Sequence, residues 1–137
     1  MDELKFQARI VKEVLNKKGW ARKIGNPQQA GTPDLFIKLY TLNPILLECK
    51  LNKLNLTAIQ RNCIDNLQRA NMHTGWLVLQ QDRTIYNCFV GADPNAVQPV
   101  ANDNCTLITF SGKEWDIGEI VKAVVYWSDR EMGRHGY

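Results

Sequence analysis

Three charged residues interrupt two apolar segments near the middle of the chain. Asp34 begins the first segment, and Glu48 and Lys50 lie at the end of the second, within "GTPDLFIKLYTLNPILLECKL" at 31–51. Charged side chains seldom occupy half-buried strands unless they are paired or functional. Carboxylates and an amine at this spacing are able to hold a cation and to move protons. The alternative is the solvated face of a sheet that carries an ordinary Glu–Lys pair.

The alternation of side chains predicts the direction of these charges. Successive residues of a strand face opposite sides of its sheet. Asp34 therefore points away from the apolar face of its segment, and Glu48 and Lys50 point together away from the apolar face of theirs. The apolar faces consist of Leu35, Ile37 and Leu39 in the first segment and of Leu47, Cys49 and Leu51 in the second.

The remaining elements must position these charges. Periodicity and turn residues predict an α-β-β-β-α-β-β-β-α order, which is a mixed α/β domain and permits one parallel crossover beside the hairpin. Residues 1–130 are expected to form one domain, and 131–137 a mobile tail. Helices are predicted at 2–18, 57–71 and 116–129, strands at 20–24, on both sides of a 41–44 turn, and at 75–80, 84–90 and 105–110, and loops at 25–33 and 91–104.

Composition restricts the class of protein. The 137-residue chain carries a net charge of +3 and contains no apolar run near the roughly 20 residues that cross a membrane. Its N-terminal segment is polar, so we expect a cytoplasmic protein without a membrane partner.

The cysteines form no C-x-x-C pair and the two histidines are far apart, so a zinc site is not expected. We interpret Cys49, Cys63, Cys88 and Cys105 as small buried residues.

The first predicted helix carries two polar residues near its apolar side. Glu3 and Gln7 lie one turn apart at the edge of the stripe that faces the sheet. Glu3 is therefore the acidic residue of this helix that looks toward the charged strands, although a carboxylate in a first helical turn is also favoured by the helix dipole alone. The stripe is predicted to consist of Leu4, Ala8, Val11, Val14 and Leu15.

The second predicted helix places a glutamine inside its apolar stripe. Gln60 falls among Leu56, Ile59, Cys63, Ile64 and Leu67. An amide there must find hydrogen-bond partners or cost about 1–3 kcal/mol. Gln60 is either a core amide bonded to backbone or a member of a polar cluster with the charged strand face. Thr57 or Asn55 is the predicted N-cap.

The pattern of these residues resembles the PD-(D/E)xK nuclease motif. Asp34 follows Pro33, and Glu48-Cys49-Lys50 ends the next strand. The preceding "GTPDL" and the following "LTAIQRN" resemble more specifically the VRR-NUC branch and its relatives among Holliday-junction resolvases. The resemblance covers about residues 1–80. It implies a restriction-endonuclease-like core, with a mixed β-sheet flanked by helices and additional C-terminal strands and helix.

The resemblance also implies an activity and a site. The expected activity is hydrolysis of DNA phosphodiester bonds by an Mg²⁺- or Mn²⁺-dependent endonuclease, with branched DNA such as a Holliday junction as a possible target. Asp34, Glu48 and the Cys49 carbonyl would bind the metal, with Glu3, or alternatively Glu13, as a further ligand. Lys50 would act beside the attacking water, and Gln60 would position the water, the lysine or the phosphate.

Partners follow from the same resemblance. DNA would be held by basic residues around the site, and Lys53, Arg61, Arg22 and Lys23 are the candidates, although each could be an ordinary solvated charge. One site per domain predicts a homodimer, and the small free-standing domain is typical of phage proteins, whose location would be the host cytoplasm.

Two other interpretations remain open at the level of the sequence. The same fold could serve as a catalytically silent nucleic-acid-binding or assembly module. The chain could also be an unrelated α/β module whose sheet face happens to be charged. Tryptophans could stack on bases, but Trp76 and Trp127 lie in patterns that favour the core.

Overall fold

Nine elements follow one another in the predicted order, which confirms the mixed α/β class. The computed structural model describes residues 2–25, 31–40, 42–102 and 104–135. The elements are α1 (Glu3–Asn16), β1 (Trp20–Lys23), β2 (Leu35–Lys38), β3 (Ile45–Leu51), α2 (Ala58–Arg69), β4 (His73–Asp82), β5 (Ile85–Gly91), β6 (Cys105–Ser111) and α3 (Ile117–His135).

The six strands form one sheet in sequence order, β1-β2-β3-β4-β5-β6. Every neighbouring pair is antiparallel except β3 and β4, which run parallel and are joined through α2. The parallel crossover that the predicted order permits is therefore present. Since β2 and β3 pair with Leu35 opposite Leu47, the ladder ends just where Asp34 and Glu48 begin.

Each face of the sheet carries its own apolar cluster. Helices α1 and α3 contribute to the larger one, on what we call the core face, which includes Leu35, Ile37, Leu47 and Cys49. Helix α2 contributes Ile64 to a smaller cluster on the opposite face, which we call the site face. Residues paired across the ladder share a face, so Phe36, Leu46, Glu48, Lys50, Trp76 and Val78 belong to the site face.

Helix α1 is rotated relative to the prediction. Its buried residues are Phe6, Gln7, Ile10 and Val14. Leu4 and Leu15, which the sequence pattern assigned to the inner stripe, are 64% and 48% exposed, so that assignment was wrong. The helix has two apolar stripes of helical period, and packing against the sheet and α3 selects the one that contains the larger side chains.

The other helices differ from prediction at their ends. Thr57 is the N-cap of α2, as one of the two predicted candidates, but Ile59 is 56% exposed and lies outside the buried stripe. Helix α3 continues to His135, so the tail predicted from residue 131 is helical over most of its length, and residues 136–137 lie outside the described part. Among the described helices, none has the length and apolarity required to cross a bilayer.

The predictions for the tryptophans and for three of the four cysteines agree with the structure, and the prediction that Cys63 is buried was wrong. Trp76 and Trp127 are 2% and 1% exposed and lie in the two clusters. All four cysteines are free thiols; Cys63 is half-buried and the other three are buried.

Candidate active site

Asp34 closes the end of the β2–β3 ladder with its side chain. Its Oδ2 accepts a hydrogen bond of 2.9 Å from the backbone N–H of Cys49. The carboxylate thus occupies the place of a ladder carbonyl beyond the last β2–β3 pair. In an extended strand the N–H and C=O of one residue point to the same side, so the Cys49 carbonyl is directed toward the Asp34 side as well.

Glu48 lies beside Asp34 in an almost completely buried position. It is 2% exposed. Burial raises its pKa to about 9, and its hydrogen bond with Asp34 and the Asp34 charge add to this, whereas the Lys50 charge acts in the opposite direction. Two carboxylates this close ionise together only at a high electrostatic cost. Glu48 therefore keeps its proton at neutral pH in the absence of an added cation.

Gln60 joins this carboxylate pair to the start of α2. Its side-chain oxygen accepts from the Thr57 N–H at 2.9 Å, and the Thr57 hydroxyl accepts from the Gln60 N–H at 3.1 Å, which completes a capping box. Because the oxygen is committed to the cap, the amide NH₂ faces Glu48 and donates to its Oε2 at 3.4 Å. The predicted polar cluster between α2 and the charged strands is present.

Lys50 places a positively charged side chain beside the two carboxylates. Its pairing with Val78 in the parallel ladder places it on the site face, one step beyond Glu48. It is 9% exposed. Within the described residues, the ion pairs closer than 4.0 Å lie elsewhere, on α1, α2 and α3. The Lys50 charge therefore acts on Glu48 through space, where it lowers the pKa of the carboxyl group.

Glu3 of α1 influences the site through its charge. Its charge contributes to the raised pKa of Glu48, as the smallest of the influences, and also to that of the Cys49 thiol. Glu13 pairs instead with Lys17 at 3.7 Å. Of the two predicted alternatives, Glu3 is thus the one whose field reaches the site, although it makes no direct contact with Asp34 or Glu48.

The donor set fits a hard divalent cation. Asp34 and Glu48 supply carboxylate oxygens at one point of the site face, and the Cys49 carbonyl is directed there. Mg²⁺ is commonly held by one or two carboxylates while it keeps several waters. Within residues 2–25, 31–40, 42–102 and 104–135, no group of three His, Cys, Asp or Glu side chains is arranged to hold a metal, so Glu3 does not complete a three-carboxylate cluster.

The four basic residues predicted to contact DNA occupy different environments. Lys53, Arg22 and Lys23 are exposed. Arg61 is half-buried and donates from Nε to the Leu56 carbonyl and from Nη1 to the carbonyls of Pro94 and Ala96. Its guanidinium therefore links the loop after β5 to the start of α2. A contact between Arg61 and DNA remains a prediction.

Two features of the site were not predicted. Cys63, one turn after Gln60 on α2, is close enough for the Glu48 charge to raise its pKa, after burial as the main cause; the i,i+3 spacing was the signal that could have identified it. Gly31, with φ of 90°, packs on α2: a Cβ there would lie 2.8 Å from the Ile59 carbonyl oxygen. Only glycine fits at that point.

Comparison with known proteins gives no family for this chain. A scan against protein-family models finds no match, and a search of curated proteins finds none either.

Proposed function

We propose that the protein is an Mg²⁺- or Mn²⁺-dependent DNA endonuclease of the PD-(D/E)xK type, most similar to the VRR-NUC and Holliday-junction-resolvase branch. The observation that carries the proposal is the meeting of Asp34, Glu48 and Lys50 at one end of the β2–β3 ladder. Two hard-oxygen ligands with an amine beside them suit hydrolysis of a phosphodiester.

The arrangement of elements supports a restriction-endonuclease-like core. In this proposal the core consists of α1, the β1–β2–β3 meander, the α2 crossover and β4, with β5, β6 and α3 as additions. The site lies where β2 begins and β3 ends, and α2 closes it from the site face through Gln60.

Each residue of the site has a definite task in the proposed reaction. Asp34, Glu48 and the Cys49 carbonyl would hold the cation, whose chemistry is to neutralise phosphate charge and to lower the pKa of a bound water. Lys50 faces the position of the phosphate and offsets the charge that develops on it. Gln60 fixes the orientation of the Glu48 carboxylate, and the Asp34–Cys49 hydrogen bond fixes that of Asp34.

The substrate and assembly belong to the same proposal. In the same proposal the target is a DNA shape, for example a branch or junction. Cutting both strands at a symmetric branch requires two sites, which two copies of the chain would supply as a homodimer.

Cleavage assays test the proposal directly. Supercoiled circular DNA, linear duplex and a four-way junction are incubated with wild-type protein and Mg²⁺ or Mn²⁺, beside Lys50→Ala purified in parallel. We expect metal-dependent nicks in wild-type reactions and a loss of about 10²–10³-fold in rate for the variant. A matched control is Lys113→Ala, which removes an exposed lysine after β6, outside the predicted DNA contacts, and should retain activity.

Metal binding provides a second measurement. In a calorimetric titration, Asp34→Asn/Glu48→Gln should lose the Mg²⁺ affinity of the wild type. An unchanged affinity would show that these carboxylates do not hold the metal. Failure of the wild type to cut any DNA or RNA form with either metal would overturn the enzyme proposal and favour a silent binding module.

A further inference from the structure

An aromatic pair lies on the site face beside the candidate active site. The rings of Trp20 and Phe36 meet edge to face, with centroids 5.4 Å apart and an interplanar angle of 74°. Trp20 is 49% exposed and Phe36 is half-buried. Large exposed aromatics are costly to leave in water, and the pair therefore calls for an explanation beyond packing of the core.

Ladder register places this pair on the same face of the sheet as Asp34. Phe36 lies two residues from Asp34 on the same face of β2, and Arg22 of β1 is its cross-strand partner. Trp20 lies two residues from Arg22 on the same face. At about 3.3 Å per residue, Trp20 is roughly 13 Å along the edge from the level of Asp34, a few nucleotides away for a bound strand.

Charge at this edge favours an anionic ligand. Residues 18–33 contain Lys18, Arg22 and Lys23 and no acidic residue. Arg22 is exposed on the same face as the aromatic pair. Lys38, by contrast, donates to the carbonyls of Tyr40 and Leu42 and is occupied within its own turn.

We propose that Trp20 and Phe36 form a stacking platform for an unpaired nucleobase, with Arg22 on the adjoining phosphate. The proposal rests on the proposed nuclease function and specifies its substrate: nucleic acid with single-stranded nucleotides next to the cut. A base within a duplex has its faces covered by its neighbours, whereas an unpaired base offers a face to an aromatic side chain. Stacking of this kind is tolerant of sequence, which agrees with recognition of DNA shape.

The chain carries its own reporter for a binding test. Trp76, Trp115 and Trp127 are at most 5% exposed, so Trp20 is the accessible tryptophan among the four. Tryptophan fluorescence is measured in the presence of EDTA, which removes the divalent metal that cleavage would require. The probes are an oligothymidylate of about 12 nucleotides, an abasic oligonucleotide of equal length and charge, the corresponding duplex, and an oligouridylate of equal length.

The expected result distinguishes binding to the bases from binding to the phosphates. The oligothymidylate should quench Trp20 emission and bind more tightly than the abasic chain or the duplex. Because both Trp20 variants lack this reporter, their affinities and that of wild type are compared by the anisotropy of a dye-labelled oligothymidylate. Trp20→Ala should weaken that binding roughly 5- to 150-fold. Trp20→Phe, which keeps a ring and serves if the alanine variant is unstable, should bind within a few-fold of wild type. Tyr126→Ala, which removes an exposed aromatic on α3, is the matched control and should have no effect.

The outcomes distinguish the platform from the nuclease. Equal affinity for the abasic chain and the oligothymidylate, or wild-type affinity of Trp20→Ala, would overturn the platform even if the protein cuts DNA. Quenching by the oligothymidylate without cleavage by wild type would leave the platform in place and overturn the nuclease. Tighter binding of oligouridylate than oligothymidylate supports the platform and assigns RNA as its ligand. When wild type cuts, Trp20→Ala should reduce the preference for forked over blunt duplex substrates.

Discussion

On strand β3, Leu47 points to the core face and Glu48 to the site face, and the two neighbours are 0% and 2% exposed. Leu47 lies among the apolar side chains of α1, α3 and the strands beside it. Glu48 is surrounded by Asp34, Lys50 and Gln60. Burial to the same degree therefore has opposite energetic consequences on the two faces.

This difference indicates which face is organised for stability. An apolar side chain gains roughly 1.5–3 kcal/mol from such burial, whereas a carboxyl group loses its hydration and is neutralised unless a cation compensates it. The raised pKa of Glu48 records that cost. Natural proteins retain such costs where the group serves a function.

Substitution of the two neighbours on β3 should give the largest contrast. Leu47→Ala should lower the free energy of unfolding by about 2–5 kcal/mol, because it leaves a cavity in the core face. Glu48→Gln should leave the stability of the metal-free protein unchanged or higher at pH 8. It should lower the cleavage rate by more than about a hundredfold, because loss of a residue that only orients a metal ligand already lowers metal affinity or activity about 10- to 100-fold. Urea unfolding and cleavage rates on matched samples provide both measurements.

Ile45→Val, a small change on the core face of the same strand, is the control and should affect stability by only about 0.5–1.5 kcal/mol. The comparison fails if Glu48→Gln destabilises the metal-free protein as much as Leu47→Ala does, because the carboxyl would then be a structural group.

Strand alternation was sufficient to predict which face each β3 side chain occupies. It depends on backbone geometry alone, and Leu47, Glu48, Cys49 and Lys50 all lie as expected. It could not predict that α2 would cover Glu48, since burial of that face depends on a crossover helix several residues later in the chain. The solvated sheet face considered as an alternative is accordingly not what the structure shows for Glu48.

Helix α1 illustrates what periodicity leaves undetermined. Leu4, Ala8 and Leu15 recur at helical spacing, as do Phe6, Ile10 and Val14, which form the buried stripe. Only tertiary packing decides between two such stripes. The correct rotation places Glu3 in line with Ile10 and Val14, so the error in the stripe did not remove Glu3 from the side that faces the site.

The pH dependence of stability should sharpen the contrast between the faces. The folded-state pKa of Glu48, about 9, exceeds its ordinary value of 4.5, and Asp34, Glu3, Lys50 and Gln60 are the groups that face it. The folded protein thus keeps a proton that the unfolded chain has lost. The contribution of Glu48 is present below about pH 4.5 and is lost as pH rises toward 9, with a slope of at most about 1.4 kcal/mol per unit.

Thermal melts of metal-free protein between pH 5 and 9 test this expectation. The slope should disappear in Glu48→Gln and diminish with saturating Mg²⁺, which would bind the ionised carboxylates. Leu47→Ala should lower every melting temperature and leave the slope intact. A wild-type profile as flat as that of Glu48→Gln would show that the carboxyl ionises without cost.

The smallest predicted effect separates the two roles of Gln60. Thr57→Ala removes the N-cap hydroxyl and should cost about 1 kcal/mol of stability with little effect on cleavage. Gln60→Ala should cost a similar amount, since it removes the other half of the capping box. It should also slow cleavage about tenfold at an equal folded fraction, because the Glu48 carboxylate loses the amide that orients it. If both variants cleave at the same rate, Gln60 stabilises α2 and contributes nothing to the site.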